Sequence, residues 1–332
     1  MPVTSFGQKN VLLDIEDLCV RFAVRDTRQW PWQPAKTLQA VEGLSLQLCA
    51  GETLGVVGES GCGKSTLARA IIGLVKASGG RLAWLGRDLR SINDRQWRDV
   101  RREIQMIFQD PLGSLNPRMT VGEIIAEPLH TWSPQLSRAQ IKARVQEVMV
   151  KVGLLPDQIN RYPHEFSGGQ CQRIGIARAL IPEPRLIICD EPVSALDVSI
   201  QAQVVTLLRQ LQCEMGLSLI FIAHDLAVVR HIADRVLVMY LGRAVELGSR
   251  EAIYRAPRHP YTQALMAAVP IPDPDKEKAK SSLSLTGELP SPIDPPSGCV
   301  FRTRCPIAGP ECARESPQLQ GNEEHAVACL KA

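Results

Sequence analysis

The 332-residue sequence contains no apolar run approaching the ~18 continuous residues that a membrane-spanning helix needs. Its opening residues, MPVTSFGQKNVLLDIED, hold no apolar stretch of the kind a signal peptide requires. The expectation is a chain on the cytoplasmic side, meeting a membrane only through partners. Charge of one sign is scarce too. Lys and Arg number 38 against 35 Asp and Glu, and the resulting +3 is too small to argue for nucleic-acid binding. There is no internal repeat and no long heptad run, which excludes solenoid and coiled-coil architectures. With 45% apolar residues, a sizeable core in one large or two modest domains is expected.

Residues 11–24 alternate apolar and polar through Leu13, Ile15, Leu18, Val20 and Phe22, a strand signal. A polar segment with Trp30, Pro31, Trp32 and Pro34 interrupts it, and alternation resumes over 38–49. TLGVVG follows as a buried strand, then a Gly-rich loop, then the helix STLARAIIGLV. Residues 109–166 change character. Pro111, Gly113, Pro117 and Gly122 punctuate the start, and SRAQIKARVQEVMVKVGL places Ile141, Val145, Val148, Met149 and Val152 on one helical face. From 185 strands and helices alternate again through LIICD, QAQVVTLLRQLQ, LSLIFIA and RVLVMYLG. After Pro257 the composition becomes Pro-rich, around 270–275 and 289–296, and reads as an irregular tail.

Residues 58–66, GESGCGKST, fit G-x-x-x-x-G-K-[ST] between a strand and a helix. That context separates a phosphate-binding loop from a plain Gly-rich turn. Gly58, Gly61 and Gly63 let successive N–H groups face one point at a helix N-terminus, which favours phosphate. Glu59, Ser60, Cys62 and Thr66 complete the expected cradle. Lys64 would neutralise the β- and γ-phosphates of ATP, and Ser65 would hold Mg²⁺. The strand LIICDEP ends in Asp190 and Glu191. Alone, an acidic pair there is an ordinary loop start. Downstream of a phosphate loop, Asp190 is expected beside Mg²⁺ and Glu191 as general base on the attacking water.

Between these pieces lies FSGGQCQRIGIARAL, residues 166–180. As an isolated tetrapeptide, SGGQ is a Ser-capped helix start. In this order of motifs it resembles the signature of the ABC ATPases, with Phe166 where Leu is commonest. The resemblance implies an α/β fold: a P-loop NTPase (RecA-like) core with an antiparallel β subdomain, a helical subdomain and a small irregular C-terminal extension. It further implies that Ser167, Gly168, Gly169 and Gln170 meet the γ-phosphate held by a partner's P-loop, two subunits enclosing two ATP molecules head to tail. Gln109, in MIFQDP, fits the family's Mg²⁺-contacting glutamine. The loop of Ser194, Ala195, Leu196 and Asp197 fits the segment that crosses the dimer interface. His224, in IFIAHD, fits the histidine that contacts the γ-phosphate, and Phe22 the aromatic that stacks on adenine, with Trp30 and Trp32 as competitors.

HPYTQALMAAVP and GELPSPIDPPSGCVFRTRCPIAGPEC look like the extension of peptide-importer ATPases. Over its length the chain closely resembles the ATP-binding subunits of bacterial oligopeptide permeases, with dipeptide and metal-chelate importers as the runner-up. That implies a second ATPase subunit in a heterodimer, two integral-membrane permease subunits, a periplasmic peptide-binding protein, no nucleic acid, and a peripheral position on the cytoplasmic face of the bacterial inner membrane. The expected division is 1–108, the first part of the core with the β subdomain; 109–181, the helical subdomain; 182–256, the rest of the core; and 257–332, the extension.

Of ten cysteines, six are scattered and read as small core hydrophobes. Four cluster late: Cys299, Cys305, Cys312 and Cys329, spaced C-x₅-C, C-x₆-C and C-x₁₆-C. Reducing cytosol disfavours disulfides there. Four thiolates suit Zn²⁺ or an iron–sulfur cluster. The missing C-x₂-C knuckle favours iron, and the family resemblance implies a structural [4Fe–4S] cluster, against four simply packed thiols.

Overall fold

The computed structural model describes residues 10–25, 35–269, 287–322 and 324–332. Trp30, Trp32 and the Pro-rich stretch at 270–275 lie outside them. Segments without polar alternation suit strands covered on both faces. TLGVV, LIICD and SLIFIA become β3 (Thr53–Val57), β7 (Leu186–Asp190) and β8 (Ser218–Ala223), every residue buried. Their neighbours are β6 (Ile104–Ile107) and β9 (Arg235–Tyr240), and pairing is parallel throughout in the order β6–β7–β8–β3–β9. The pleat divides their side chains between two cores. Ile187, Cys189, Leu219 and Phe221 pack on one face; Leu186, Ile188, Ile220 and Ile222 pack on the other.

The second face is covered by an antiparallel sheet in the order β2–β1–β4–β5 and by two helices. The strands are β1 (Val11–Val24), β2 (Lys36–Cys49), β4 (Gly79–Trp84) and β5 (Arg87–Asp88), and the helices are α1 (Lys64–Ile71) and α2 (Asp94–Glu103). The first face receives α3 (Val121–Trp132), α4 (Arg138–Lys151), α5 (Gly168–Leu180), α6 (Val198–Met215) and α7 (Leu226–Ile232). Three of these open with reciprocal capping boxes, Thr120 with Glu123, Ser137 with Gln140 and Ser167 with Gln170, each satisfying orphan N–H groups of the first turn. On α4, Val145 and Met149 are buried and Ile141 and Val148 partly so, which is the face the spacing predicts. Among the described residues no helix is long and apolar enough to cross a membrane. Of the scattered cysteines, Cys62, Cys171 and Cys189 are buried, whereas Cys213 is exposed on α6 and is no core residue.

The extension is not wholly irregular. After β10 (Arg243–Ser249) come α8 (Arg250–Arg255), α9 (Pro260–Ala268), β11 (Gln320–Gly321) and β12 (His325–Val327). β10 pairs antiparallel with β9, β12 with β10, and β11 with β12, so the extension continues the core sheet. Strands of two and three residues carry no readable periodicity. Glu246 of β10 anchors this join. Its side chain is wholly buried and accepts from the Arg258 N–H (2.7 Å), the His259 N–H (3.1 Å) and His325 Nε2 (2.6 Å). Glu246→Ala orphans these buried donors and should cost about 3 kcal/mol. Urea unfolding checks this: the midpoint should fall with little change in slope.

Candidate functional site

Parallel strands present their C-terminal ends at one level, where open α/β sheets bind ligands. Here the register aligns Val57 with Ala223, Ile222 with Asp190 and Cys189 with Ile107. The four loops that follow begin side by side and carry residues 58–66, Gln109, Glu191 and His224.

The first loop has a backbone that only glycine supports. Gly58 has φ 153° and Gly63 φ 104°. A Cβ at Gly58 would stand 2.2 Å from the Met239 carbonyl oxygen, and one at Gly63 2.1 Å from that of Ala40. Gly63 then opens α1, whose first residue is Lys64. Lys64 is buried, and its Nζ donates to the carbonyls of Gly58 (2.8 Å) and Glu59 (3.0 Å). Ser65 Oγ donates to Asp190 Oδ1 at 2.8 Å. Asp190 is 3% exposed. Burial pushes its carboxyl above the ordinary range, while the Ser65 hydrogen bond and the charge of Arg69 pull the other way.

Glu191 adopts φ 46°, a left-handed conformation that costs a non-glycine residue on the order of 1–3 kcal/mol. Its N–H donates to the Ile222 carbonyl (3.1 Å), tying it to the end of β8. Its carboxylate accepts from Gln109 Nε2 (3.0 Å) and lies 3.6 Å from His224 Nδ1. Side chains from the loops after β6, β7 and β8, with Gln109 and Glu191 82 positions apart, thus meet around one carboxylate.

The remaining expected residues stand apart from this cluster. Ser167 Oγ accepts from the Gln170 N–H (3.3 Å) and Gln170 Oε1 from the Ser167 N–H (2.9 Å). Gly168 and Gly169 sit against Leu196 and Ile200, and a Cβ on Gly169 would come within 2.6 Å of Ile200. Among the described residues, no hydrogen bond or ion pair joins residues 167–170 to the loop at 58–66. Asp197 is the N-cap residue of α6, but its side chain makes no capping bond. Phe22 lies on β1 opposite Leu38, 38% exposed.

The four late cysteines are partly assembled. The charges of the other three disfavour the Cys299 thiolate, after burial as the main cause. Cys312 is buried and its carbonyl accepts from the Cys299 N–H at 2.7 Å. Yet among the described residues no three His, Cys, Asp or Glu side chains converge as a metal-holding group. The placement of these side chains does not by itself define the expected [4Fe–4S] or Zn²⁺ centre. Two residues near the phosphate loop had no sequence signal. Tyr261 Oη accepts from the Glu59 N–H (2.8 Å), and Arg304 pairs with the Glu59 carboxylate, from 202 and 245 positions away.

A Gly-rich loop with a buried lysine, a Ser–Asp pair and a carboxylate flanked by Gln and His define an ATP-binding cassette ATPase. Residues 41–194 match the ABC transporter family model, and 245–312 match the oligopeptide/dipeptide transporter C-terminal region. The oligopeptide transport ATP-binding protein OppF of Salmonella typhimurium is 72% identical, covering 98% of this chain and 97% of that one. OppF of Haemophilus influenzae is 65% identical, covering 99% of each. A solved dimer of the cassette MJ0796, described as a post-hydrolysis state with ADP and Pi, superposes with TM-score 0.64 at 26% identity, covering 72% of this chain and 99% of that one. The chain belongs to the oligopeptide transport ATP-binding proteins, the ATP-hydrolysing subunits of ABC importers.

The buried Asp190 carboxyl makes stability pH-dependent in a defined direction. A folded-state pKa above the unfolded one stabilises the protonated form, and that contribution is lost as pH rises through the folded value. Asp190→Asn keeps an acceptor for Ser65 and removes the charge. Thermal melting of the nucleotide-free chain should show the variant gaining on the unmutated protein as pH rises from the ordinary carboxylate range toward neutrality. A difference independent of pH would contradict this.

Proposed function

We infer that this chain binds and hydrolyses ATP to drive import of oligopeptides through a membrane permease fed by an external binding protein, as a peripheral subunit on the cytoplasmic face of the inner membrane. One observation carries the catalytic part: the meeting of Gln109, Glu191 and His224 beside the Ser65–Asp190 pair. Lys64 and the N–H groups of 58–66 receive the phosphates. The hydroxyl and carboxylate oxygens of Ser65 and Asp190, with the Gln109 amide, are the hard donors that Mg²⁺ prefers. Bound there, Mg²⁺ would supply charge neutralisation at the β- and γ-phosphates. Glu191 takes the proton of the attacking water, Gln109 orients that water, and His224 contacts the γ-phosphate. Phe22 offers a half-exposed ring for adenine.

Ser167, Gly168, Gly169 and Gln170, together with Asp197, complete the site of a second ATPase subunit rather than this chain's own, which is why they stand apart from residues 58–66. The resemblance makes that partner a different chain, so the pair is a heterodimer. Residues 1–108 and 182–256 form the core, 109–181 the helical part that transmits movement to the permease, and 257–332 the extension. ATP closes the pair; hydrolysis and release of products reopen it, a two-state element driven by differential nucleotide contacts.

Glu191→Gln keeps size and hydrogen bonding but removes the base. In the assembled transporter it should lower turnover by roughly 10²–10⁴ while leaving ATP binding intact, after the partner site is inactivated. Steady-state phosphate release and nucleotide retention together check this, and an unchanged rate would remove Glu191 from its role.

An iron–sulfur or zinc centre at Cys299, Cys305, Cys312 and Cys329 rests on the four thiols and the family resemblance, and the ATPase chemistry does not depend on it. Anaerobic purification followed by iron, sulfide and zinc analysis should find either iron with sulfide or zinc, reduced in Cys305→Ser. Absence of all three from a folded chain would end that proposal.

A further inference from the structure

The phosphate loop contains an acid that its chemistry does not call for. Glu59 sits between Gly58 and Ser60, in a loop built to gather a triphosphate, and a free carboxylate there would repel the incoming charge. Arg304, from the turn between Cys299 and Cys305, meets it with both terminal nitrogens: Nη1 to Oε2 at 2.6 Å and Nη2 to Oε1 at 3.0 Å. The Arg304 side chain is only 5% exposed and that of Glu59 28%. Such a bidentate pair fixes geometry as well as charge.

Residue 59 is held at three points. Its N–H donates to Tyr261, its carbonyl accepts from Lys64, and its carboxylate accepts from Arg304. Two of these partners come from the extension. They rest on a buried aromatic cluster: Tyr240 and Tyr261 at 4.8 Å, Tyr240 and Phe301 at 5.2 Å, and the Arg304 guanidinium 5.9 Å from the Tyr240 ring. A staple could have used any surface. This one neutralises the one acidic side chain of the phosphate loop.

We propose that Arg304 is a positioning residue of the nucleotide site: it cancels and holds the Glu59 carboxylate, so the extension sets this chain's affinity for ATP. The proposal rests on residues 58–66 being the phosphate site. A charge-cancelling role differs from a structural one in the sign of its rescue. Arg304→Met leaves Glu59 unpaired beside the phosphates and should weaken binding of a fluorescent ATP analogue to the full chain by roughly tenfold. Arg304→Lys, a point charge without the fork, should fall between. Adding Glu59→Gln to Arg304→Met should restore affinity to within about threefold, because the repelling charge is gone. Arg304→Met with unaltered affinity, or a double variant as weak as Arg304→Met alone, would overturn the proposal. If Arg304→Met does not fold, Glu59→Gln decides: tighter binding, from an Arg304 charge left uncancelled beside the phosphates, supports charge cancellation, and unchanged or weaker binding overturns it. Lys64→Ala separates the premises. Loss of binding there with no effect at Arg304 defeats this proposal alone, whereas normal binding by Lys64→Ala defeats the phosphate-site reading itself.

Discussion

The parallel, in-register pairing of β6, β7, β8 and β3 is the constraint on which the rest of the molecule depends. The backbone ladders set the register of these strands and so fix where they stop relative to one another. Because Val57, Asp190, Ala223 and Ile107 all lie at the same end of the sheet, the loops that follow start close enough for their side chains to meet. Glu191 shows the constraint working against local preference. Its left-handed backbone is unfavourable for glutamate, yet the N–H bond to Ile222 holds it, and the carboxylate is thereby aimed between Gln109 and His224. Both faces of the sheet must then be covered, which gives the β1–β2–β4–β5 layer and the helical layer their places.

Much of this was legible in the sequence because it is written locally. TLGVV, LIICD and SLIFIA announce buried parallel strands by lacking alternation, and the loop at 58–66 announces itself by glycines whose positions match the close approaches to Met239 and Ala40. Gln109 and His224 were singled out by the family resemblance, and their meeting at Glu191 needs the aligned strand ends. What escaped has no local code. β11 and β12 are too short to show a period and exist because β10 offers an edge and Glu246 buries donors from both sides of the join. The ion pair of Glu59 and Arg304 spans 245 positions, and neither residue belongs to a pattern that names its partner. The four cysteines are the opposite case: a conspicuous spacing whose thiols, among the described residues, approach one another without closing into a metal-holding set.

The extension is therefore better regarded as part of the core than as an appendage. It contributes strands to the sheet through β12, aromatic rings to the interior through Tyr261 and Phe301, and polar groups to the phosphate loop through Tyr261 and Arg304.

The pairing of β10 with β12 also bears on how the polypeptide is made. Synthesis is vectorial, and earlier segments begin to fold before later ones exist. β10 is complete at Ser249, whereas the strand that covers its outer side begins only at His325. For the interval between them, a nascent chain carries an otherwise finished sheet with a bare, hydrogen-bond-hungry margin, the kind of surface that recruits other chains. Ribosome stalling or premature termination within that interval would leave this margin uncovered, and such fragments should be prone to self-association even though every ATP motif has already been made.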